Sequence, residues 1–293
     1  MKYTIDSDYA KSNFIIEGTT LVNYIGEPEP EELYIPDGVV TIGEGAFSKI
    51  GKIGSIYLPA SLKYVGRNNF SDYRAASNVY VEDLDAYYNL KGESESEIVD
   101  SWGTVIPPLA HIFARPHSAT LYANGEPVRS FSFPEGEIAT PPSVFSGFES
   151  ISELTLPESL KDVSYYSFSF TNIKKIELPN GLTRIGRYAF VSTALESLTV
   201  PGTVKVIEEG AFFLCQGIKK ITLADGLEEI RDLAFGDTSI TEIVIPETVS
   251  YVGLGCFKLC RSLKTIYVKG NKKRIKLWHK KWKSECGAKV KFI

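Results

Sequence analysis

The chain has 293 residues, 43% apolar and 23% charged, with sixteen Phe and sixteen Tyr, enough to build a sizeable buried core. No run of eighteen apolar residues occurs, which excludes a membrane-spanning helix. Net charge is only −4, yet residues 269–293 hold ten Lys/Arg against Glu285 alone, about +9, so the preceding 268 residues sum to about −13.

The opening Met1–Asp8 has no apolar stretch after Lys2 and does not read as a signal peptide; either the protein is cytoplasmic or a leader has been removed. Further on, seven of the fifteen prolines share one register: Pro36, Pro59, Pro134, Pro157, Pro179, Pro201 and Pro246. Within each run they lie 22 or 23 residues apart, or twice that. A fixed period of this length means one supersecondary unit stacked on copies of itself, which overrides the two domains that length alone suggests.

With proline as position zero, −3 and −1 are apolar in ten copies: Leu33/Ile35, Ile56/Leu58, Val79/Val81, Phe131/Phe133, Leu154/Leu156, Ile176/Leu178, Leu198/Val200, Ile221/Leu223, Ile243/Ile245 and Ile266/Val268. Such short alternation predicts a β-strand with one buried face. Connections of about twenty residues are too long for hairpins, so successive strands are expected to pair in parallel. Proline then ends the strand, where its missing N–H costs least.

Apolar positions +3 and +6 follow, then a small residue before a phenylalanine, as in Ala46-Phe47, Ala189-Phe190 and Cys256-Phe257. Phe47, Phe70, Phe145, Phe168, Phe190, Phe212, Phe235 and Phe257 are predicted to stack as an interior column. Burying each contributes roughly 1.5–3 kcal/mol, which makes them structural residues.

The repeat breaks between Val81 and Phe131, and residues 83–126 read as an insertion or a remodelled coil. Asp83 is placed to cap a helix with apolar residues at 84, 87 and 88. Ile98–Trp102 suggests another helical turn, and Leu121–Glu126 a strand entering an Asn124-Gly125 hairpin toward Val128. Past Gly270, Ile275, Trp278 and Trp282 share a helical face, an amphipathic cap whose lysines form its solvated side. Attraction to a membrane surface or an anionic polymer is the sharper alternative for those lysines.

The copy Ile176-Glu-Leu-Pro-Asn-Gly-Leu-Thr-Arg-Ile-Gly-Arg-Tyr-Ala-Phe190 follows the pattern L-x-[IL]-P-x-x-[LV]-x-x-I-G-x-x-A-F. In this the chain resembles the BspA-type, or Treponema pallidum-type, leucine-rich repeats. The resemblance covers residues 14–82 and 121–268, and Phe14–Gly26 looks like the family's lead-in hairpin. The break ending in Leu121-Tyr-Ala-Asn-Gly-Glu126 is similar to a recurrent family spacer.

The fold so implied is a repeat solenoid of α/β type: a right-handed leucine-rich-repeat coil with about ten short parallel strands, a short helical insertion and a C-terminal cap. The expected organisation is one domain over 1–293: cap or hairpin 1–30, repeats 31–82, insertion 83–126, repeats 127–268 and a basic cap 269–293. The resemblance also implies a bacterial cell-surface or secreted protein working in adhesion and host interaction.

Chemistry is sparse. The four cysteines have no metal-ligand spacing. Cys215 and Cys260 share position +14 two coils apart, which places their Cα atoms about 10 Å apart, whereas a disulfide needs less than about 7 Å. Cys256 occupies the small slot as a buried thiol, and a bridge from Cys286 in the cap stays open. His111 and His117, six apart in the insertion, give a weak metal or enzymatic alternative, and neither they nor His279 stand in a nucleophile signature. The carboxylates follow repeat position rather than pairing. The reading is therefore of a protein that is not an enzyme, with no catalytic residues, no metal and no cofactor.

Two outward rows remain. Position −2 carries Tyr34, Tyr57, Tyr80, Thr155, Glu177 and Tyr267, the candidate ligand-binding residues of the strand face. The three adjacent tyrosines should form a ladder about 10 Å long, in a residue type favoured at contact surfaces. Position +1 carries Asp37, Asp83, Glu135, Glu158, Asp225 and Glu247, an acidic rim read as keeping the sheet edge soluble. The functional reading is a non-catalytic module binding a protein or glycan, such as one from a host; the alternative is a structural spacer with no ligand of its own. Nucleic acid is not expected as a partner, and oligomeric state stays open.

Overall fold

The computed structural model describes residues 7–66, 69, 76–92, 98–99, 105–106 and 119–293. The chain divides into two compact units, Met1–Val128 with Ser146–Ser150, and Arg129–Phe145 with Ile151–Ile293. Each unit is a β-solenoid of stacked coils.

In the first unit, helix Ser7–Asn13 leads into an antiparallel hairpin, Phe14–Glu17 with Thr20–Tyr24, at the place expected for the lead-in hairpin. Glu32–Tyr34, Ser55–Leu58, Asn78–Val81 and Thr120–Ala123 then pair in parallel, one strand per coil. Their −3 residues Leu33, Ile56, Val79 and Leu121 are buried. A second sheet, which the sequence reading lacked, runs along the opposite side of the coil. Thr41–Ile42, Tyr64–Val65 and Lys91–Gly92 pair in parallel after Thr20–Tyr24. The first two of these strands form at position +6, where Ile42 and Val65 are buried.

Asp83 caps helix Leu84–Tyr88 as expected, its Oδ1 accepting from the N–H groups of Asp85 (2.9 Å) and Ala86 (3.3 Å). Asn124 and Gly125 both have positive φ, 53° and 82°, the two-residue turn that suits a hairpin. The strand before it has a second role: Thr120–Ala123 also continues the parallel sheet beside Asn78–Val81. Ile98–Val99 is a strand paired with Val105–Ile106, not the helical turn expected there. Phe70, Trp102, His111 and His117 lie outside the described residues.

The second unit has the same plan. Short strands Asp162–Val163, Arg184–Ile185, Val206–Ile207, Glu229–Ile230 and Tyr251–Val252 form one continuous parallel sheet. The long strands pair as Ser130–Ser132 with Glu153–Thr155, Ser197–Val200 with Lys220–Leu223, and Glu242–Ile245 with Thr265–Val268. Ile176 and Leu178, expected in a strand, belong to none.

The described members of the phenylalanine column are all buried. From Phe168 through Phe190, Phe212 and Phe235 to Phe257, ring centroids follow at 5.3, 5.2, 5.9 and 6.0 Å. One ring per coil faces inward, so the coil spacing itself sets this stack. Beside it the +14 position forms a buried polar ladder. Cys215 Sγ donates to the Phe190 carbonyl (3.0 Å) and lies 3.2 Å from Thr193 Oγ1, and Cys260 repeats this with the Phe235 carbonyl (3.1 Å) and Thr238. All four cysteines are free, and Cys256 is buried.

The cap buries Trp278 and Trp282, with the Trp282 ring edge-on to Phe257 at 6.0 Å. It is not the amphipathic helix expected. A single 3₁₀ turn, Arg274–Leu277, and further turns lead to strand Lys289–Phe292, which pairs in parallel with Thr265–Val268. The coil supplies an open strand edge, and pairing satisfies that edge where a helix laid across it could not.

Candidate functional site

Exact strand register superposes the outward tyrosines of the first unit, Tyr34 on Tyr57, Tyr57 on Tyr80 and Tyr80 on Tyr122. With strands about 4.8 Å apart, neighbouring rings can only stack face to face. Their centroids are 4.1, 4.5 and 4.4 Å apart and their planes within 14° of parallel. The ladder thus has four rungs. Tyr122 was missed because 42 residues separate it from Tyr80; the one signal for it was the Leu-Tyr-Ala alternation at 121–123.

Glu32 ties the first two rungs, its carboxylate accepting from the hydroxyls of Tyr34 (2.8 Å) and Tyr57 (3.1 Å). Tyr9 closes the near end, its ring edge against Tyr34 at 6.0 Å and its oxygen accepting from the Tyr34 N–H at 3.2 Å. Burial, then the Glu32 contact, raises the Tyr34 hydroxyl above its ordinary pKa; burial, then the Tyr34 and Glu32 contacts, does the same for Tyr57. Both phenols therefore stay neutral near pH 7. The face of this sheet is a rigid strip of ring edges and hydroxyls, with the ring planes covered by one another.

The other candidates lie in the second unit. Thr155 and Glu177 are exposed and flank a groove of about 810 Å³ between residues 152–158 and 174–180. Tyr267 stands apart from both, under the ammonium of Lys291, whose Nζ is 5.7 Å from its ring centroid and whose strand pairs directly with it. The structure therefore brings Tyr34, Tyr57 and Tyr80 together, sets Thr155 and Glu177 at one groove, and leaves Tyr267 elsewhere.

Charge pairing between coils, which the sequence reading discounted, runs along the short-strand sheet. Arg184 meets Asp162 (2.8 Å) and Glu208 (3.6 Å), Arg231 meets Glu208 (3.3 Å) and Glu229 (3.2 Å), and Arg187 pairs with Glu209, which also accepts from the Tyr188 hydroxyl. Asp162 and Arg184, like Arg187 and Glu209, lie 22 residues apart, so opposite charges one period apart were the available signal. Some of these residues line a cavity of about 660 Å³, but each of Glu208, Glu209 and Glu229 is already matched by an arginine. Half-exposed pairs like these add about 0–1 kcal/mol each and hold coils in register. Of the acidic rim, Asp225 accepts from Lys269 Nζ at 3.1 Å.

Among the described residues no group of three or more His, Cys, Asp or Glu could hold a metal ion, and no helix is long and apolar enough to cross a membrane.

No curated protein matches the chain. Among solved structures it is similar to a leucine rich cell surface protein from Faecalibacterium prausnitzii, at 18% identity over 100% of this chain and 94% of that one, with a TM-score of 0.41. It is similar to the pneumococcal vaccine antigen PcpA, at 16% identity over 87% and 78% of the two chains, TM-score 0.41. A leucine rich repeat protein of T. pallidum is 16% identical over 96% of each chain, TM-score 0.28. A family profile described as the BspA type leucine rich repeat region matches in six copies, over residues 27–89, 118–198 and 183–278. With repeats matched over most of its length and stacked as the profile's period requires, the chain belongs to the BspA-type leucine-rich-repeat family.

Proposed function

We propose that the chain is a non-catalytic binding module of a bacterial cell-surface or secreted protein, acting in adhesion or host interaction. Its contact surface is the Tyr34–Tyr57–Tyr80–Tyr122 face. The observation that carries this reading is the stacking itself: four aromatic rings are held in register on a solvent-facing sheet, where packing of the core does not require them. Tyrosine presents large contact area at little cost in side-chain entropy, and prior stacking lowers that cost further. A protein ligand fits better than a glycan, because sugars dock on aromatic ring planes and here those planes are covered. Edges and neutral hydroxyls suit a polar protein surface. Family membership supports the cellular setting.

The test is an array of host proteins and glycans probed with the native chain and with Tyr34→Ala/Tyr57→Ala. The variant should stay folded, losing about 0.2–1 kcal/mol for each stacked pair removed, and lose a protein ligand. Binding that survives the double substitution unchanged would exclude the ladder, and no binding by either protein would favour the spacer role.

A further inference from the structure

The long-strand sheet of the second unit is open between Glu153–Thr155 and residues 174–178. The coils stay joined on both sides of the opening. The Asn172 N–H donates to the Ile151 carbonyl (2.9 Å) before it, and the Thr183 N–H to the Lys161 carbonyl (2.8 Å) after it. Between those points the ladder is missing.

On the Glu153–Thr155 strand, Glu153 N–H donates to Arg129 and Thr155 C=O accepts from Phe133, so these residues turn toward the preceding strand. In a parallel ladder the alternate residues turn the other way, which aims the N–H and C=O groups of Leu154 and Leu156 into the groove. Among the described residues nothing bonds to those groups, nor to the backbone of Lys175, Ile176, Glu177 or Leu178. Unpaired backbone of this kind is a template for a further strand.

The floor is apolar as well. Leu154, Leu156, Ile176 and Leu178 are half-exposed, although the same repeat positions in the next coil, Leu198 and Val200, are 2% and 0% exposed. The ladder also lapses between residues 174–178 and Ser197–Val200 and between Lys220–Leu223 and Glu242–Ile245, but on those strands Leu198, Val200, Ile221, Ile243 and Ile245 remain buried and Leu223 alone is half-exposed. The length fits one strand: the unpaired stretch 174–178 is five residues, about 17 Å of extended chain. The groove's ends differ in charge, with exposed Lys174 and Lys175 against Glu153 alone where a parallel strand would start, and Glu177 and Glu158 where it would finish.

We propose that this groove binds an extended segment of a partner protein by parallel strand addition. The segment carries alternating apolar residues, an acidic residue before them and a basic residue after them. Its backbone pairs with Leu154 and Leu156, its apolar side chains cover the half-exposed floor, and its charged ends meet Lys174/Lys175 and Glu158. This is main-chain recognition with alternate side chains giving specificity, and it is independent of the tyrosine face.

The probe is the blocked heptapeptide Asp-Val-Thr-Val-Thr-Val-Lys, titrated into the full chain by calorimetry with amide exchange followed by NMR. Binding should slow exchange of the Leu154 and Leu156 amides. N-methylation of every second peptide residue should weaken affinity about tenfold or more, equivalent to about 1.4 kcal/mol. Lys174→Glu/Lys175→Glu, at exposed positions, should weaken this peptide and favour one with Lys at both ends, because Glu158 still faces the far end. Tyr34→Ala/Tyr57→Ala should bind it unchanged. Absent binding, indifference to N-methylation, or protection that bypasses Leu154 and Leu156 would each overturn the proposal. So would protection of those amides that grows with protein concentration alone, because the occupant would then be a second copy of the chain.

Discussion

Replacing Phe212 by alanine tests the stacked interior at its most uniform point. The side chain is fully buried, between Phe190 at 5.2 Å with planes 3° apart and Phe235 at 5.9 Å with planes 15° apart. Truncation removes the apolar burial and leaves a cavity that the two flanking coils, both tied into the short-strand sheet, cannot close. The expected cost is about 3–5 kcal/mol. For a cooperative unit of about 160 residues, 1 kcal/mol shifts the melting temperature by about 2–4 °C, so a fall of about 6–20 °C is expected.

Calorimetry and urea denaturation read the stability. A double-mutant cycle separates stacking from burial. Phe212→Leu with Phe235→Leu should couple by about 0.5–1.5 kcal/mol, while Phe190→Leu with Phe257→Leu, three coils apart, should be additive within about 0.5 kcal/mol. A loss below about 1 kcal/mol for Phe212→Ala, or equal coupling in both pairs, would refute a column built from nearest-neighbour contacts.

Three further outcomes are expected. Burial first, then Tyr9 and Glu27, pushes the Tyr24 hydroxyl up to about 12, and Tyr57 is raised too; the folded state then holds these protons longer than the unfolded chain. Their contribution is complete below the unfolded pKa of about 10 and is lost as pH rises through the folded values. Phenolate absorbance should show a class of tyrosines lagging until unfolding, and a single transition near pH 10 in the native protein would contradict this. Burial also raises the thiols of Cys215, to about 11, and of Cys256 and Cys260. Iodoacetamide at pH 8 should therefore label only Cys286 by mass spectrometry until denaturant is added. Finally, Gly136 and Gly226 occupy the same turn with φ of 95° and 117°, but a Cβ on Gly226 meets the Gly202 carbonyl oxygen whereas one on Gly136 meets nothing. Gly136→Ala should cost about 1–2 kcal/mol and Gly226→Ala clearly more by urea denaturation, and equal costs would refute the contact.

The candidate site was partly legible. Position −2 identified Tyr34, Tyr57 and Tyr80 because a strand's outward residues follow from alternation alone. Tyr122 lay across a stretch with no period to count along, so its place as the fourth rung needed the pairing of Thr120–Ala123 with Asn78–Val81. The cap was recognisable by its tryptophans, yet whether helix or strand covered the last coil depended on the free sheet edge beneath it.

The coil period, the inward phenylalanines and the separation of Cys215 from Cys260 were determined by the sequence, because each follows from which residues recur at a fixed covalent spacing; whether Cys286 was bridged was not. The opening at residues 174–178 was not. The copy Ile176–Phe190 matches the repeat pattern quoted for the family, and it is the copy whose first residues form no strand. Strand pairing depends on the distance between one coil and the next. That distance is decided by how whole coils stack, so only the tertiary structure shows where the ladder closes and where it stays open.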